Sequence, residues 1–455
     1  MTRRSVLVVT LDTLGDAMAG PAIRVWEMAH ALAPEHDVRL LTFGRCDRPS
    51  EVVDVRTVTV EGFRAEVDAS DVVVIQGFVA LTFPWLQSCP QVLVVDLYDP
   101  FQLETLEVER YRPIETRYRS LSTALAELGA QVRRGDLFLC ASPRQRDLWI
   151  GHLAAAGRVN PDTYDDDPDL SSLLAIAPFG MSATAPVQRE PAIKGVVPGI
   201  GVDDIVLMWG GGVYNWFDPI TLIRAVDRLR EEIPNLRLYF LGMKHPNPDV
   251  PEMAVATRSR ELADERGLTG VHVFFNESWV PYARRADYLL DADIGVSTHF
   301  RHVETEFSFR TRILDYLWAG LPILTTQGDS FAALVAEHDL GRAVPANDVD
   351  ALADALREMV LTDGALARYR ENVTRIAPQF HWERALAPLL EFCRAPRRAA
   401  DAHRLDEHPL LTGGARPRLR DDLRAAVRHL RAGGLKQVVA KIRWRLARRG
   451  TSVGS

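Results

Sequence analysis

Between Glu304 and Asp315 the chain sets three carboxylates and two guanidinium groups close together: Glu304, Glu306, Arg310, Arg312 and Asp315. A guanidinium offers a planar fork of donors that matches a phosphate, and a carboxylate accepts two hydrogen bonds from a vicinal diol. The element that must position them reads as a short helix. Ser308 is a capping residue, Phe309, Ile313, Leu314, Leu317 and Trp318 form an apolar stripe, Gly320 takes the left-handed closing position, and Pro322 prevents continuation. A strand, Ile323 to Thr326, follows at once. On this helix Ser308, Thr311, Arg312 and Asp315 share the face away from the stripe, so the helix N-terminus and Arg312 converge on one anion. The plainer reading is an ordinary αβ unit with a surface ion pair between Arg312 and Asp315.

Short apolar runs alternate with amphipathic stretches along most of the chain. Ser5 to Thr10, Val38 to Thr42, Val72 to Gln76, Val92 to Asp96 and Leu137 to Ala141 predict buried strands, with helices over Ile23 to Ala33 and Glu115 to Arg133. The acidic stretch Asn160 to Asp169 predicts an exposed loop. A Pro- and Gly-rich stretch near Pro178 to Asp204 predicts a linker. A second series then begins: Ile205 to Trp209, Leu236 to Leu241, Val271 to Phe274, Ile294 to Ser297 and Ile323 to Thr325 as strands, separated by helices near Thr221, Met253 and Ala283. The fold class is therefore α/β, with two Rossmann-like doubly wound domains facing a cleft. Expected boundaries are 1–185 for an acceptor-side domain, 186–203 for the linker, 204–380 for a nucleotide-sugar domain, 381–395 for a helix crossing back, and 396–455 for a basic tail.

In such folds ligands sit beyond the carboxyl ends of the strands. Five loops there carry chemistry. After the first strand, Gly15 and Gly20 permit close backbone approach, and Arg24 follows. After the fourth, VVDLYDPFQLE brings Asp96 and Asp99 to the edge, where an acceptor hydroxyl would be held, Asp99 being the preferred member. The second domain opens with Gly210, Gly211 and Gly212, whose backbone can approach a diphosphate. Lys244 in FLGMKHP offers a further charge, and Trp279 to Tyr282 form an aromatic loop.

The Asp315, Gly320 and Pro322 spacing, taken with the order of these loops, resembles family-4 retaining glycosyltransferases with the glycosyltransferase-B fold over roughly residues 5–395. In that family's pattern an acid stands eight residues before the second one; here that place is Phe307, and Glu304 or Glu306 is the available carboxylate. The resemblance implies a nucleotide diphosphate sugar as donor substrate; no cofactor is expected, and no metal, since no acidic or thiol partner stands at metal-ligand spacing from a histidine. It implies that Glu304 or Glu306 contacts the sugar, Asp315 the ribose, Trp279 and Val280 the base, and Arg310 and Arg312 with Gly211 and Gly212 the diphosphate. Gly20, Arg24 and Asp96 fall on the acceptor side, with Asp99 orienting the acceptor. The implied reaction transfers a hexosyl group to a glycan or lipid-linked glycan with retention, in polysaccharide or glycoconjugate synthesis. A non-catalytic nucleotide-sugar or glycan binder of the same fold, and a nucleotide-sugar epimerase, are the alternatives.

Composition bounds these readings. The 455 residues, 47% of them hydrophobic and 25% charged, are those of a globular chain of about two domains plus a tail. No apolar run approaches the roughly 20 residues that span a bilayer, so a cytoplasmic protein is expected. The four cysteines show no close pairing, and neither disulfides nor zinc are expected. The net charge of -7 conceals an asymmetry, since 416–449 holds twelve Lys or Arg against Asp421 and Asp422. Within it Leu435, Val438, Val439, Ile442 and Leu446 make an apolar stripe on a basic helix, the pattern of a segment lying on an anionic membrane surface at the inner face. Nucleic acid is not expected as a partner, because no aromatic stacking platform accompanies the basic residues.

Overall fold

The computed structural model describes residues 3–243 and 252–403. These form two compact units, one of residues 3–177 and 387–403, the other of residues 178–243 and 252–386. No helix among the described residues is long and apolar enough to cross a membrane.

The first unit is built on a parallel sheet of seven strands, β1 (Ser5–Thr10), β2 (Asp37–Thr42), β3 (Asp54–Thr57), β4 (Val72–Gln76), β5 (Val92–Asp96), β6 (Leu137–Cys140) and β7 (Leu174–Ile176), in the order β3-β2-β1-β4-β5-β6-β7. Residues 6–9 of β1, all of β4 and residues 93–96 of β5 are buried, as expected of strands covered on both faces. Chain order reverses between β1 and β4, which opens a crevice at the carboxyl ends of those strands. Helix α1 (Gly20–Leu32) starts beside it, and a helical hairpin, α2 (Phe101–Val108) and α3 (Ile114–Arg134), follows β5.

One expectation fails here. The stretch from Asn160 to Asp169 is not all loop but carries α4 (Pro161–Asp166). Asn160 Oδ1 accepts from the Thr163 N–H at 3.2 Å while Thr163 Oγ1 accepts from the Asn160 N–H at 3.1 Å, a reciprocal cap that offsets the poor helix propensity of the acidic residues. The chain returns to this unit through the helix Ala387–Arg394, and Asp401 then forms a fully buried ion pair with Arg158, Oδ2 to Nε 2.8 Å.

The second unit has a parallel sheet of six strands, β8 (Ile205–Trp209), β9 (Leu236–Phe240), β10 (Val273–Phe275), β11 (Ile294–Ser297), β12 (Ile323–Thr326) and β13 (Gly341–Val344), in the order β10-β9-β8-β11-β12-β13. Its reversal lies between β8 and β11. Within 186–203, the Ala192 and Ile193 N–H groups donate to Asp291 and that of Arg189 to Asp287, so this stretch packs on the second unit. Helix α5 (Pro219–Leu229), capped by Asp218, follows β8, and α6 (Arg285–Leu290) precedes β11.

The Glu304 to Trp318 run departs from the expectation of one helix opened by Ser308. It forms two short helices, α7 (Val303–Phe307), capped by His302, and α8 (Arg312–Trp318). Ser308 closes α7 instead of opening α8, with extended backbone at ψ 156°. Phe309 consequently lies off the helix and packs on Phe331, ring centroids 4.8 Å apart. Gly320 does take the left-handed closing position, φ +68°, before β12. Helix α9 (Ser330–Glu337) then starts at Asp329.

Candidate functional site

The three glycines after β8 have three different reasons to be glycine. Gly210 is pressed by Tyr316, whose hydroxyl accepts from the Gly210 N–H at 2.8 Å and whose ring would stand 3.0 Å from an added Cβ. Gly211 has φ +100° and nothing within 4 Å of an added Cβ, so its backbone faces open space. Gly212 has no room for a Cβ, which would stand 2.8 Å from the Tyr214 ring, and its carbonyl accepts from Arg312 Nη2 at 2.7 Å.

Arg312 is the most unusual side chain of this turn. Its guanidinium lies over Trp209, 4.5 Å from the ring centroid, and over Phe217 at 3.8 Å. It is 7% exposed, and burial lowers its pKa to about 10, so it remains a cation at neutral pH. No carboxylate pairs with it among the described residues, and Nη1 is buried without any hydrogen-bond partner. An uncompensated buried cation is costly. A second guanidinium, that of Arg310, lies 4.9 Å from the same Phe217 ring and pushes the same pKa down.

Arg310 and Glu304 do not act separately, as the sequence reading has them. They form one buried ion pair: Nη1 to Oε1 3.0 Å, Nη2 to Oε2 2.8 Å, with side chains 3% and 1% exposed. Both carboxylate oxygens and both terminal nitrogens are occupied. Glu304, 1% exposed, is committed to this pair, and Arg310 keeps only its buried Nε unengaged. The break between α7 and α8 produces this, because it turns residue 304 inward towards residue 310. Glu306, two residues on, is half-buried.

Asp315 presents its carboxylate with 40% of the side chain accessible, 3.2 Å from Arg285 Nε. Desolvation raises its pKa, and Arg285 opposes the rise. Arg285 is itself clamped, 3.7 Å from the Tyr282 ring centroid and 4.3 Å from that of Trp318. The expected surface pair between Arg312 and Asp315 is absent, since Arg312 turns to Gly212 and Asp315 to Arg285. Sequence reasoning passed over Arg285, Trp209 and Phe217; the doubled arginine of PYARRADYLL was the available signal. In the aromatic loop, Trp279 is half-buried against Gly242 and Val280 is buried. Lys244 lies outside the described residues.

In the first unit, Arg24 and Asp96 are likewise spent on each other. Nε to Oδ2 is 2.6 Å and Nη2 to Oδ1 2.9 Å, both side chains are buried, and Arg24 Nη2 also donates to the Ala177 carbonyl at 2.8 Å. The acceptor-side roles expected of them give way to a structural one, tying α1 to the ends of β5 and β7. Gly20 opens α1, and an added Cβ there would meet only the Tyr98 hydroxyl, at 3.7 Å. Asp99 is half-buried at the start of the hairpin. An acid that sequence reasoning missed, Asp12, follows β1 at the crevice, and desolvation raises its pKa to about 6.

Residues 204–362 match the family described as Glycosyl transferases group 1. D-inositol 3-phosphate glycosyltransferase of Saccharomonospora viridis is 24% identical over 279 residues, 58% of this chain and 62% of that protein. Phosphatidyl-myo-inositol mannosyltransferase of Mycolicibacterium smegmatis is 22% identical over 169 residues, 37% of this chain and 39% of that protein. The chain spans less than two thirds of the length of the curated relatives it matches. Among solved structures, WaaG, a glycosyltransferase involved in lipopolysaccharide biosynthesis, superposes with a TM-score of 0.61 at 17% identity, over 86% of this chain and 100% of that one. HepE of Anabaena in complex with UDP-glucose gives 0.62 at 15% identity and the same coverage. The chain therefore has the glycosyltransferase-B fold, and its residues 204–362 fall with the group 1 glycosyl transferases.

Proposed function

We propose that the chain is a glycosyltransferase that moves a hexosyl group from a nucleoside diphosphate sugar to a glycan or lipid-linked glycan, with retention. One observation carries this reading: the buried Arg312 cation, bonded to the Gly212 carbonyl but partnerless at Nη1, belongs to the glycine turn in which an added Cβ at Gly211 would meet open space. A diphosphate would supply the missing anion there. HepE, a neighbour in fold, binds UDP-glucose, and relatives are named for inositol phosphate and phosphatidylinositol acceptors. Those acceptors support work on a glycoconjugate or polysaccharide at the inner face of a membrane, where the basic 416–449 stretch, outside the described residues, would meet anionic lipid.

In the reaction the bond between the sugar's anomeric carbon and the diphosphate oxygen breaks, with the electron pair leaving on the diphosphate. The acceptor oxygen bonds to the same carbon, and its proton passes to the leaving group. Arg312 Nη1 neutralises charge as it grows on the diphosphate, which lowers the barrier because the donor is already in place. Asp315, held by Arg285, accepts from the ribose hydroxyls. With Glu304 engaged by Arg310, the sugar contact falls to Glu306, and Asp99 orients the acceptor.

A thermal-shift screen against nucleoside diphosphate sugars tests this, since a donor at 100 times its dissociation constant adds about 2.7 kcal/mol. One donor should stand out, and Arg312→Ala should weaken its binding by about 10- to 100-fold, a charge-assisted bond contributing about 1.5–3 kcal/mol. A folded Arg312→Ala chain with unchanged donor affinity and turnover would remove the assignment. Binding without turnover would favour a non-catalytic binder, and conversion of donor without acceptor an epimerase.

A further inference from the structure

One histidine of the second unit faces acceptors on both sides of its ring. His299 lies just past β11 and is fully buried. Its Nδ1 is 3.3 Å from the Phe300 carbonyl oxygen and its Nε2 is 3.4 Å from Asp329 Oδ2, with the His299 and Asp329 side chains 0% and 1% exposed. A carbonyl oxygen can only accept, so Nδ1 must carry a hydrogen. A neutral imidazole has no second one. Its Nε2 lone pair would then point at a carboxylate in a site closed to water, two acceptors face to face. The imidazolium, a donor on both nitrogens, is the form that fits.

Asp329 leads to the same form. Its Oδ1 accepts from the Ala332 N–H at 2.7 Å and so caps α9, while Oδ2 makes no hydrogen bond among the described residues. Burial pushes its carboxyl up, yet His299, the Ala332 N–H and Arg310 outweigh this and hold it below the ordinary carboxylate range. It is thus a charged, buried carboxylate, and such a group needs a counter-charge. The other charged groups packed around the pair are engaged elsewhere. Arg310, between α7 and α8, binds Glu304 of α7, and His302, at the start of α7, is 3.7 Å from that same Glu304. Asp218 Oδ1, ahead of α5, accepts from the Thr221 N–H at 2.9 Å, and Arg312 of α8 donates to Gly212. His299 is left to Asp329.

The pair is joined to the Arg312 turn. His299 meets Phe217 in an isolated antiparallel bridge, and the Phe217 ring carries the guanidinium groups of Arg312 and Arg310 at 3.8 and 4.9 Å. We propose that His299 is a buried imidazolium whose charge cancels that of Asp329 beside the Arg312 turn, so that binding of a nucleoside diphosphate sugar depends on this proton. Its loss leaves a bare carboxylate that competes for the Arg312 field and repels a diphosphate. His299 does not touch the donor; it is a positioning residue that acts through the charge of Asp329. One unit of charge about 10 Å from a diphosphate, at an effective dielectric constant of about 20, changes affinity by about tenfold or more. The consequence for the donor rests on the proposed function; the protonation of His299 does not.

The test labels the histidine ring nitrogens isotopically and reads them by NMR in the full chain at neutral pH, without ligand. The signal absent from His299→Gln identifies His299, and both of its nitrogens should carry hydrogen. In Asp329→Asn that signal should move to the neutral pattern, with one nitrogen bare; this variant also identifies the signal if His299→Gln fails to fold. A neutral His299 in wild type overturns the proposal, as does an imidazolium that persists in Asp329→Asn. Calorimetry with UDP-glucose as the first probe reads the consequence. Over about pH 6 to 9, where a histidine titrates but the diphosphate diester of a nucleotide sugar does not, a slope in affinity belongs to the protein. Wild-type affinity should fall about tenfold across that range, and the His299→Gln profile should be flat; parallel profiles overturn the link to the donor. An imidazolium at His299 in a chain that shows no thermal shift with any nucleoside diphosphate sugar would sink the transferase reading and leave the buried ion pair standing.

Discussion

Replacing Glu304 by alanine separates a structural carboxylate from one that holds substrate. The substitution leaves the Arg310 guanidinium, 3% exposed, without either of its bonds at 3.0 and 2.8 Å. Removing one partner of a buried ion pair costs about 3–5 kcal/mol, because the remaining charge is neither hydrated nor paired. For a domain of about 150–250 residues each kcal/mol moves the midpoint by about 2–4 °C, so the second unit should lose about 6–20 °C. Urea unfolding followed by tryptophan fluorescence, at constant m value, measures the difference directly. The double change Glu304→Leu, Arg310→Met removes both charges and should recover most of the loss. Glu306→Gln, on a half-buried side chain, should stay within about 0.5 kcal/mol of wild type while reducing transfer. A Glu304→Ala chain within about 1 kcal/mol of wild type that has nonetheless lost all transfer would refute the reasoning, since the carboxylate would then be facing the sugar and the pair would be idle.

Two further outcomes follow from the titratable groups. Arg285→Gln should weaken binding of a ribonucleoside diphosphate by about 5- to 20-fold, one charge-assisted contact. Because Arg285 holds the Asp315 pKa down against desolvation, its loss should also move the acid limb of binding to higher pH, and calorimetry from pH 5 to 8 with an unchanged limb would contradict this. Asp12 is a carboxylate whose folded pKa, about 6, lies above its unfolded one. It therefore costs nothing in strong acid, and stability is lost as pH rises from about 4 to 6 and stays lost above. Asp12→Asn should accordingly stabilise the chain by about 1–3 kcal/mol at pH 8 and by nothing at pH 3, in paired urea titrations; equal gains at both pH values would show that the carboxylate is not desolvated.

The central strands were legible because parallel strands covered on both faces must be continuous apolar runs, as VVVIQ and VLVVD are. The strands that escaped notice, Asp54–Thr57, Leu174–Ile176 and Gly341–Val344, all lie at sheet edges. An edge strand is paired on one side only and tolerates polar residues such as those of DVRT and GRAV, so composition does not betray it. Ser308 misled by type: a good capping residue closes a helix as readily as it opens one when the preceding turn already has a cap in His302. The glycine turn and Arg312 could be singled out from local spacing. Partner choice could not, because Arg24 and Asp96 are 72 residues apart, and only packing decides that their charges meet each other and not a ligand.

Arg158 and Asp401, the buried pair that closes the first unit, are separated by 243 residues. During synthesis at about 5–20 residues per second, Arg158 waits about 12–50 s for its counter-charge. Soon after Arg158 the last strand of its sheet, β7, is translated as well, yet the tie to Asp401 is still missing while the whole of the second unit is being translated. The first unit is thus the earlier to be started and the later to be finished, and a ribosome stalled anywhere between them holds a nascent chain with an unpaired guanidinium in its interior, a natural target for chaperones.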